Sequence, residues 1–360
     1  MRVLFVTSHT YLPERVGGSE SSIHDLCLAL RARGIEVAVL ARTLARPRGA
    51  RGRLRSLLPR RSLRVDRRMG YRAFRGPEPE KSVAEVVRRF RPSVAVVHAG
   101  RPMEMARELL HAGLPTCVYL RDVQFNVFGG PLEARPGLCY LANSRFTAER
   151  FREACGLAAT VISPLVLAER YRTRGPGDRV VFVNPDERKG WGVALQLARS
   201  RPDVAFEFVE SWPLTPEVRA RRQRELLGAS HVSWREPVLD MRVVYRRARL
   251  LLVPSLASRG VWEESWGRVV TEAHCSGIPV LASRSGGLPE AVGPGGVLVE
   301  PDAEPVAWEK ALSRIWDDPR EHEALSRAAR EWAARPEIQP DSLLPRFLAA
   351  LRTVASSGSP

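Results

Sequence analysis

Two glutamates suited to binding chemistry lie eight residues apart, Glu264 in a loop and Glu272 in a helical pattern. The loop follows the apolar run Leu250–Val253, and the pattern reads RVVTEAHCSG. Open α/β sheets bind ligands outside the carboxyl ends of their strands, so we expect both carboxylates to point into a cleft there. Glu272 should lie off the packed face of its helix. The residues expected to pack inward are Val269, Val270 and Ala273.

A glycine pair, Gly17-Gly18, precedes Ser19 and Glu20 between the first strand and the first long helix. Glycine lets a backbone approach a ligand closely, and a helix N-terminus attracts an anion. A simple glycine turn with Ser19 as the N-cap explains the same residues, so both interpretations stay open. The pair is not part of G-x-G-x-x-G, which excludes a nicotinamide or flavin fingerprint here.

Lysine is rare in this chain, because only three of the 56 basic residues are lysines. The three are Lys81, Lys189 and Lys310. Such arginine bias is typical of a GC-rich bacterial genome. A lysine followed by glycine at Lys189-Gly190 therefore stands out as a residue with a specific task.

Short β-rich runs alternate with helical patterns along the whole chain, which predicts parallel sheets covered by helices. The predicted strands of the first half are Val3–Val6, Glu36–Leu40, Val94–Val97, Thr116–Leu120, Cys139–Ala142 and Thr160–Ile162, with helices at 19–33, 80–91 and 145–154. Those of the second half are Arg179–Val183, Ala205–Val209, Leu250–Val253, Pro279–Ala282 and Val297–Val299.

The break between the halves falls in the segment 163–178, which mixes proline, glycine and charge. We therefore predict an α/β protein of two facing doubly wound, Rossmann-like domains with a cleft between them, at 1–163 and 164–339. An amphipathic helix at 340–354 should pack back on the first domain, and residues 355–360 should fray.

The composition narrows the class of protein. At 360 residues and 44% hydrophobic, the chain can build two full cores. No run approaches the ~18 apolar residues of a membrane span, so we expect a cytoplasmic protein. Its five cysteines, odd in number and without C-x-x-C, are typical of a reducing cytosol rather than a disulfide framework or zinc site.

The net charge of +16 is concentrated in residues 42–75, which hold thirteen arginines and one acid, Asp66. This segment would be a solvated loop, a peripheral contact with an anionic membrane, or a surface for an acidic acceptor. Its leucines at helical spacing are Leu54, Leu57 and Leu58, but Pro59 cuts that helix short. Aromatic residues are scarce in it, which disfavours nucleic acid as a partner.

The stretch 250–300 resembles the E-x7-E signature of glycosyltransferase family 4, a group of retaining enzymes with the GT-B fold. The residues that carry the resemblance are Glu264, Glu272-Ala273, Gly277-Ile278-Pro279-Val280 and Gly286-Gly287-Leu288-Pro289-Glu290. Gly17-Gly18-Ser19-Glu20, Lys189-Gly190 and Asn143-Ser144 fit at the family's expected places, so the resemblance covers nearly the whole chain outside the basic segment.

The resemblance implies a role for each matched residue. Glu272 would bind the nucleotide ribose and Glu264 the hydroxyls of the donor sugar, because a carboxylate accepts two hydrogen bonds at once. Lys189 would sit on the diphosphate and offset charge as the leaving group departs. The remaining donor-binding residues implied are Gly17 and Gly18 in the first half and Ser265, Trp266, Gly267 and Arg268 in the second. The amides of the last four would face the sugar and phosphates at a helix start.

Three departures from the family pattern affect these roles. The family's usual Gly-Arg pair is replaced by Val183-Asn184-Pro185, which leaves Arg188 either as the second phosphate contact or as a surface residue. The usual Gly-Phe-Gly is Ser265-Trp266-Gly267. Arg121 and Asp122 occupy the loop where many members place a histidine facing the donor sugar, so we include both among the catalytic candidates.

Other polar residues are weaker candidates. His9 and His98 follow predicted strands, so each is either a cleft residue or a structural histidine. Trp234 and Arg235 either contact the nucleotide base or serve the fold, while His231 and His274 are assigned to structure. The chain has no D-x-D, so we expect neither a metal nor another cofactor.

The sequence thus predicts transfer of a sugar from a nucleoside-diphosphate donor to an acceptor hydroxyl, with retention. The acceptor would be a glycan, a lipid-linked molecule or a natural product, and would be anionic if the basic segment binds it. An epimerase or phosphorylase of the same fold would need its own base or phosphate site, and neither is evident. A non-catalytic protein that binds an anionic polymer or membrane through residues 42–75 is the more distinct alternative.

Overall fold

The computed structural model of the protein describes residues 1–43, 63–175, 177–212, 214–257 and 262–357. The chain folds into two compact units. Unit 1 consists of Met1–Arg15, Ser19–Leu165 and Pro340–Pro360, and unit 2 of Val16–Gly18 and Val166–Gln339. The leucines at 54, 57 and 58 and most of the arginine-rich segment lie outside the described residues.

Unit 1 contains one sheet with the strand order β3-β4-β2-β1-β5-β6-β7-β8. Its strands are β1 (Arg2–Thr10), β2 (Glu36–Arg42), β3 (Arg64–Asp66), β4 (Arg72–Gly76), β5 (Val94–His98), β6 (Thr116–Leu120), β7 (Leu138–Ala142) and β8 (Thr160–Val161). All pairs are parallel except β3 with β4. The α-helices around it are Gly18–Ala32, Val83–Phe90, Pro102–His111, Arg145–Cys155 and Pro340–Ser357.

The last helix packs on the sheet of unit 1. The Phe347 ring lies 6.3 Å from that of Phe5 in β1, and the Arg346 side chain donates to the Val161 carbonyl at 2.7 Å. This helix continues to Ser357, so the expectation of fraying is wrong for residues 355–357, which extend the last helical turns.

Part of the basic segment belongs to the core of unit 1 rather than to a solvated loop. In β4, Phe74 is buried among apolar residues. Arg75 is also buried, and its Nε donates to Asp66 at 2.6 Å. The sequence prediction was wrong for β3 and β4 because their high arginine content hid two strands that exchange backbone hydrogen bonds.

Unit 2 contains a fully parallel sheet with the strand order β11-β10-β9-β12-β13-β14. Its strands are β9 (Arg179–Val183), β10 (Ala205–Val209), β11 (Val232–Arg235), β12 (Ala248–Val253), β13 (Val280–Ser283) and β14 (Gly296–Val299). The α-helices around it are Trp191–Ser200, Pro216–Glu225, Arg242–Tyr245, Arg268–His274, Leu288–Val292, Pro305–Asp317 and Pro319–Ala333.

The apolar run in β12 is buried, as a strand covered on both faces requires. Both units are α/β domains built on largely parallel sheets, which confirms the predicted α/β class of each domain. No helix in the described part of the chain combines the length and apolarity needed to cross a lipid bilayer.

Cys117 and Cys139 form a disulfide between neighbouring strands β6 and β7. This bond departs from the expectation, drawn from the cysteine pattern, of a reducing environment without disulfides. The pattern gave no sign of it, since the two residues are 22 positions apart and meet only through the strand register. Cys27, Cys155 and Cys275 are free thiols.

Candidate functional site

Lys189 lies just beyond the carboxyl end of β9, where a tight turn carries the chain from strand to helix. Asn184 adopts a left-handed conformation with φ 65°, and Asp186 caps the short helix Glu187–Lys189. Gly190 follows at φ 85°, and a Cβ there would lie 1.9 Å from the Pro254 carbonyl oxygen. Only glycine permits this close approach, so the Lys-Gly pair fixes the lysine beside the loop that follows β12.

Lys189 and Glu264 meet in an ion pair, although 75 residues separate them in sequence. The distance from Nζ to Oε2 is 2.6 Å, and each side chain is 13% exposed. Ser255, directly after Pro254, donates its hydroxyl to the same carboxylate oxygen at 3.1 Å. The structure thus joins two residues predicted from the sequence and adds a third that the motifs did not indicate.

The glycine pair Gly286-Gly287 supports the backbone of Glu264. Gly287 donates its N–H to the Glu264 carbonyl at 2.7 Å. A Cβ on Gly286, which has φ 55°, would lie 2.1 Å from that same oxygen. A Cβ on Gly287 would lie 2.3 Å from the Ser265 carbonyl oxygen. These glycines therefore set the position of the Glu264 carboxylate through direct backbone contact.

Replacing Gly286 with alanine should lower the free energy of unfolding by about 2–5 kcal/mol, through left-handed strain plus the clash with Glu264. Gly228→Ala is the matched control, since Gly228 has φ 86° and open space around its Cβ position. That control should lose only the strain, about 1–2 kcal/mol. Urea unfolding of both variants measures the difference, and equal losses would show that Gly286 does not press on Glu264.

Arg188 is held by the acid that caps its own turn. Asp186 accepts from the Arg188 backbone N at 3.0 Å and from its Nε at 2.9 Å. Burial alone would raise the pKa of Asp186, but the hydrogen bonds from Arg188 and the charges of Arg188 and Lys189 lower it below its usual value. Two cations and two carboxylates therefore adjoin at this edge of the sheet.

Glu272 is buried instead of lying off the packed face as expected. It is 4% exposed, accepts from Arg268 Nε at 2.6 Å and accepts from the Tyr245 hydroxyl at 2.6 Å. Arg268 also donates to the Tyr171 hydroxyl at 2.7 Å. Burial and the negative charge of Glu272 raise the pKa of Tyr245 well above its usual value, so the phenol stays a donor. Val269, expected inside, is only partly buried.

Some residues between the two glutamates pack into the core of unit 2, and others shape the backbone of the loop. Trp266 is buried in the apolar core and donates its indole N–H to Thr271 at 3.1 Å, so its side chain serves packing. Gly267 has φ 89° and begins the seven-residue helix Arg268–His274. Ser265 is partly buried, with its carbonyl against Gly287. The side chains of Trp266 and Arg268 thus contact other parts of the protein. The donor-binding role predicted for residues 265–268 rests on their backbone amides and stays a prediction.

In unit 1, Arg121 and Asp122 follow β6. Arg121 donates to the Ser19 carbonyl at 3.3 Å and lies 4.7 Å from the Tyr119 ring. Asp122 accepts from the Gln124 backbone N at 2.9 Å, which stabilises its own loop. The helix that carries Ser19 begins at Gly18, so Ser19 lies in the first turn and not at the N-cap.

Two histidines of unit 1 are held neutral at pH 7. Burial, with the charges of Arg15 and Arg42, lowers the pKa of His9 to about 4. Burial, with Arg121 and His9, lowers the pKa of His98 well below its usual value. His98 Nδ1 lies 3.2 Å from the Ser19 hydroxyl.

The weaker candidates of unit 2 have structural partners. Trp234 donates to Glu210 at 2.7 Å, and Arg235 donates to Glu207. His231 Nε2 lies 2.8 Å from the Ala198 carbonyl, while burial and Arg335 lower the pKa of His274 to about 3. Within the described ranges, no group of three or more His, Cys, Asp or Glu residues is placed to hold a metal ion.

Sequence reasoning missed several residues of the site in unit 2. They are Tyr171, Trp212, Tyr245, Ser255 and Trp262. Trp262 had a usable signal, because it lies two residues before Glu264 and a tryptophan ring can bind a cation. The others had none, since their places depend on strand order.

Two profiles of known protein families match the chain. The family profile described as "Glycosyltransferase Family 4" matches residues 16–170, and that described as "Glycosyl transferases group 1" matches residues 179–332. Together the two profiles span nearly the whole chain in the order expected for one protein.

The chain is a glycosyltransferase of the family 4 type.

Among curated proteins, this family 4 chain is similar to the GDP-mannose-dependent alpha-(1-6)-phosphatidylinositol monomannoside mannosyltransferase of Mycolicibacterium smegmatis. Identity is 32% over 53% of the chain and 56% of the relative. It is also similar to the D-inositol 3-phosphate glycosyltransferase of Corynebacterium kroppenstedtii, at 38% identity over 28% of the chain and 21% of the relative. The matches thus span about half or less of the length of these relatives.

The fold of the family 4 chain is that of solved GT-B structures. HepE of Anabaena, in complex with UDP and glucose, superposes with a TM-score of 0.75 and 17% identity, over 98% of this chain and 100% of that one. At this identity the likeness establishes the fold alone, which agrees with the two parallel-sheet units.

Proposed function

We propose that the protein is a retaining glycosyltransferase, which moves a sugar from a nucleoside-diphosphate donor to an acceptor hydroxyl. The observation that carries the proposal is the Lys189–Glu264 pair of 2.6 Å at the carboxyl edge of the unit 2 sheet. Ligands of open α/β sheets bind at that edge. The pair combines a cation for a diphosphate with a carboxylate for sugar hydroxyls.

Unit 2 would hold the donor. Lys189 contacts the diphosphate, and Glu264 orients the sugar through its hydroxyl groups. Glu272 binds the ribose with oxygens that Arg268 and Tyr245 already hold, and each carboxylate oxygen keeps a second acceptor site. The carboxylate is therefore fixed before the donor arrives, which reduces the entropy lost on binding.

Catalysis would be electrostatic. Lys189 stabilises the negative charge that grows on the leaving diphosphate, in a part-buried setting where charges interact more strongly than in water. Family resemblance implies a front-face displacement, in which the departing phosphate helps to deprotonate the acceptor and the anomeric configuration is retained. Unit 1 would present the acceptor, and the family resemblance makes Arg121 and Asp122 catalytic candidates in that unit.

The relatives support a nucleotide-sugar donor without choosing its base. One curated relative is named for GDP-mannose, and the HepE structure holds UDP. We therefore infer a nucleoside diphosphate as the shared chemistry of the donor. The acceptor remains a hydroxyl-bearing glycan, lipid-linked molecule or natural product.

Turnover of a sugar-nucleotide panel tests the proposal. The protein is incubated with UDP-, GDP- and ADP-sugars and a set of glycan, inositol phosphate and polyprenyl-phosphate acceptors, and nucleoside diphosphate release is followed. We expect one donor to be consumed with an acceptor present, and proton NMR of the product to show the donor's anomeric configuration. An inverted product would refute retention, and consumption of no donor would refute transfer.

Metal independence is a further expectation, because the diphosphate charge would be met by Lys189 and Arg188. We predict that EDTA at millimolar concentration changes the transfer rate by less than about twofold, whereas loss of a required metal would abolish Lewis-acid stabilisation. The assay compares rates before and after chelation and after addition of Mg²⁺ or Mn²⁺. A rate that falls with EDTA and returns with metal would contradict the expectation.

The concentration of positive charge in residues 42–75 favours one second candidate, a non-catalytic protein that binds an anionic polymer or membrane surface. The affinity of such binding should fall steeply as the salt concentration rises, and it should not change when Lys189 or Glu272 is substituted. Sedimentation with anionic vesicles at two salt concentrations distinguishes it from the transferase, and also tests peripheral membrane contact of a cytoplasmic enzyme.

A further inference from the structure

Two tryptophans, Trp212 and Trp262, lie beside the cations of the candidate donor site. Trp212 follows β10, and its backbone N donates to the Asn184 side chain at 2.7 Å, in the turn that leads to Lys189. Trp262 precedes Glu264 by two residues. Their rings pack edge to face, with centroids 5.7 Å apart and an interplanar angle of 84°. The pair therefore links two loops that come from different strands.

Both tryptophan rings contact both cations. Lys189 Nζ lies 4.9 Å from the Trp212 ring centroid and 4.7 Å from that of Trp262. The Arg188 guanidinium carbon lies 5.1 Å and 5.3 Å from the same two centroids. All four distances fall within the range in which an aromatic face attracts a cation, and tryptophan provides the strongest such attraction.

An aromatic ring and a carboxylate can both hold a cation, but they differ in how much they weaken its attraction for an anionic ligand. Asp186 and Glu264 pair with Arg188 and Lys189 and cancel part of their charge. An indole carries no net charge, so it holds a cation on its face without neutralising the charge that attracts an anion. The Trp262 indole N–H is buried without a hydrogen-bond partner in the described part of the chain. Trp262 therefore contributes to the site through its aromatic ring and not through a hydrogen bond.

We propose that Trp212 and Trp262 are positioning residues of the donor site. They form an aromatic clamp that orders Lys189 and Arg188 for the diphosphate of a sugar nucleotide. This inference rests on the proposed function and deepens it, because it assigns the diphosphate affinity to four residues and not to the lysine alone. The clamp would also let Arg188 contact the phosphates in place of the arginine that the family usually has on the loop before the Lys-Gly pair.

The test measures diphosphate recognition separately from recognition of the nucleoside. Wild type, Trp212→Leu and Trp262→Leu are titrated with the best binder among UDP, GDP, ADP, CDP and TDP, and with the matching nucleoside by saturation-transfer NMR. Trp316→Leu is the control, because the Arg249 guanidinium lies 4.8 Å from the Trp316 ring in the same unit. Each clamp variant should lose about tenfold in diphosphate affinity. Nucleoside affinity should change by less than about twofold.

Trp212→Phe and Trp262→Phe keep a ring in place and preserve the apolar packing if a leucine variant unfolds. Because phenylalanine attracts cations less than tryptophan does, we expect an intermediate loss of about threefold. Clamp variants that bind the diphosphate as tightly as Trp316→Leu would overturn the inference while leaving the proposed function intact. A wild type that binds none of the five nucleoside diphosphates would overturn the proposed function and, with it, the clamp.

Discussion

Replacing Lys189 with alanine should lower the rate of sugar transfer by about 100- to 1000-fold, the usual cost of removing one electrostatic group from a developing anion. Lys189 pairs at the carboxyl edge of the unit 2 sheet with Glu264, whose carboxylate also accepts a hydrogen bond from Ser255. Its loss removes the charge opposite the leaving diphosphate and leaves the Glu264 carboxylate without its counterion. Steady-state kinetics with the identified donor measures the effect as a fall in kcat.

Lys310→Ala is the matched control, since Lys310 is exposed on the helix Pro305–Asp317 and belongs to the same unit. It should leave kcat unchanged within about twofold. Lys189→Arg keeps the charge in a different shape and should recover part of the rate. Equal kcat values for Lys189→Ala and Lys310→Ala, in proteins with the same circular dichroism spectrum, would remove Lys189 from the mechanism.

Replacing Glu272 with alanine should lower the free energy of unfolding by about 3–5 kcal/mol. Glu272 and Arg268 form a buried pair at 2.6 Å, and their side chains are 5% and 4% exposed. Removal of the carboxylate leaves the Arg268 guanidinium buried without a counter-charge and the Tyr245 hydroxyl without its acceptor. Urea unfolding measures this loss directly. An unchanged slope of the unfolding free energy against urea concentration checks that both proteins unfold in two states.

Glu85→Ala is the control for this prediction. Glu85 and Arg89 have the same spacing of four residues and pair at 2.9 Å, but both side chains are more than 40% exposed. Because water screens this pair, its loss should cost no more than about 0.5 kcal/mol. The double variant Arg268→Met/Glu272→Leu should recover much of the stability by removing both charges. Similar losses for Glu85→Ala and Glu272→Ala would mean that the buried pair does not anchor the helix.

Strands with strong local signals could be predicted from sequence alone. Arg179–Val183, Ala205–Val209 and Thr116–Leu120 have the predicted bounds, because each is a short, mostly apolar run of strand-forming residues that a parallel sheet buries. The strands Arg64–Asp66 and Arg72–Gly76 could not be predicted. Arg64, Arg72 and Arg75 make these segments look solvated, and their stability comes from pairing with each other and with β2.

Within the site, the sequence indicated residues but not their partners. The spacing of Glu264 and Glu272 and the rarity of lysine were enough to identify three side chains. The environment of Glu272 was wrongly predicted, because its partner Tyr245 lies 27 residues away and reaches it only after folding. The contacts of Lys189 with Trp212 and Trp262 could not be predicted either, because they depend on how two loops from different strands are placed in the fold.

Thermal unfolding with a panel of nucleoside diphosphates tests the central claim most directly, namely that unit 2 binds a nucleotide-sugar donor through Lys189. Wild type and Lys189→Ala are heated with UDP, GDP, ADP, CDP or TDP at concentrations up to several millimolar. A ligand at 100 times its Kd should stabilise wild type by about 2.7 kcal/mol, a readily measured rise in Tm. Donor binding through Lys189 predicts that one base raises the Tm of wild type and that Lys189→Ala loses most of that rise. A wild type that no nucleoside diphosphate stabilises, or a variant stabilised as much as wild type, would contradict it.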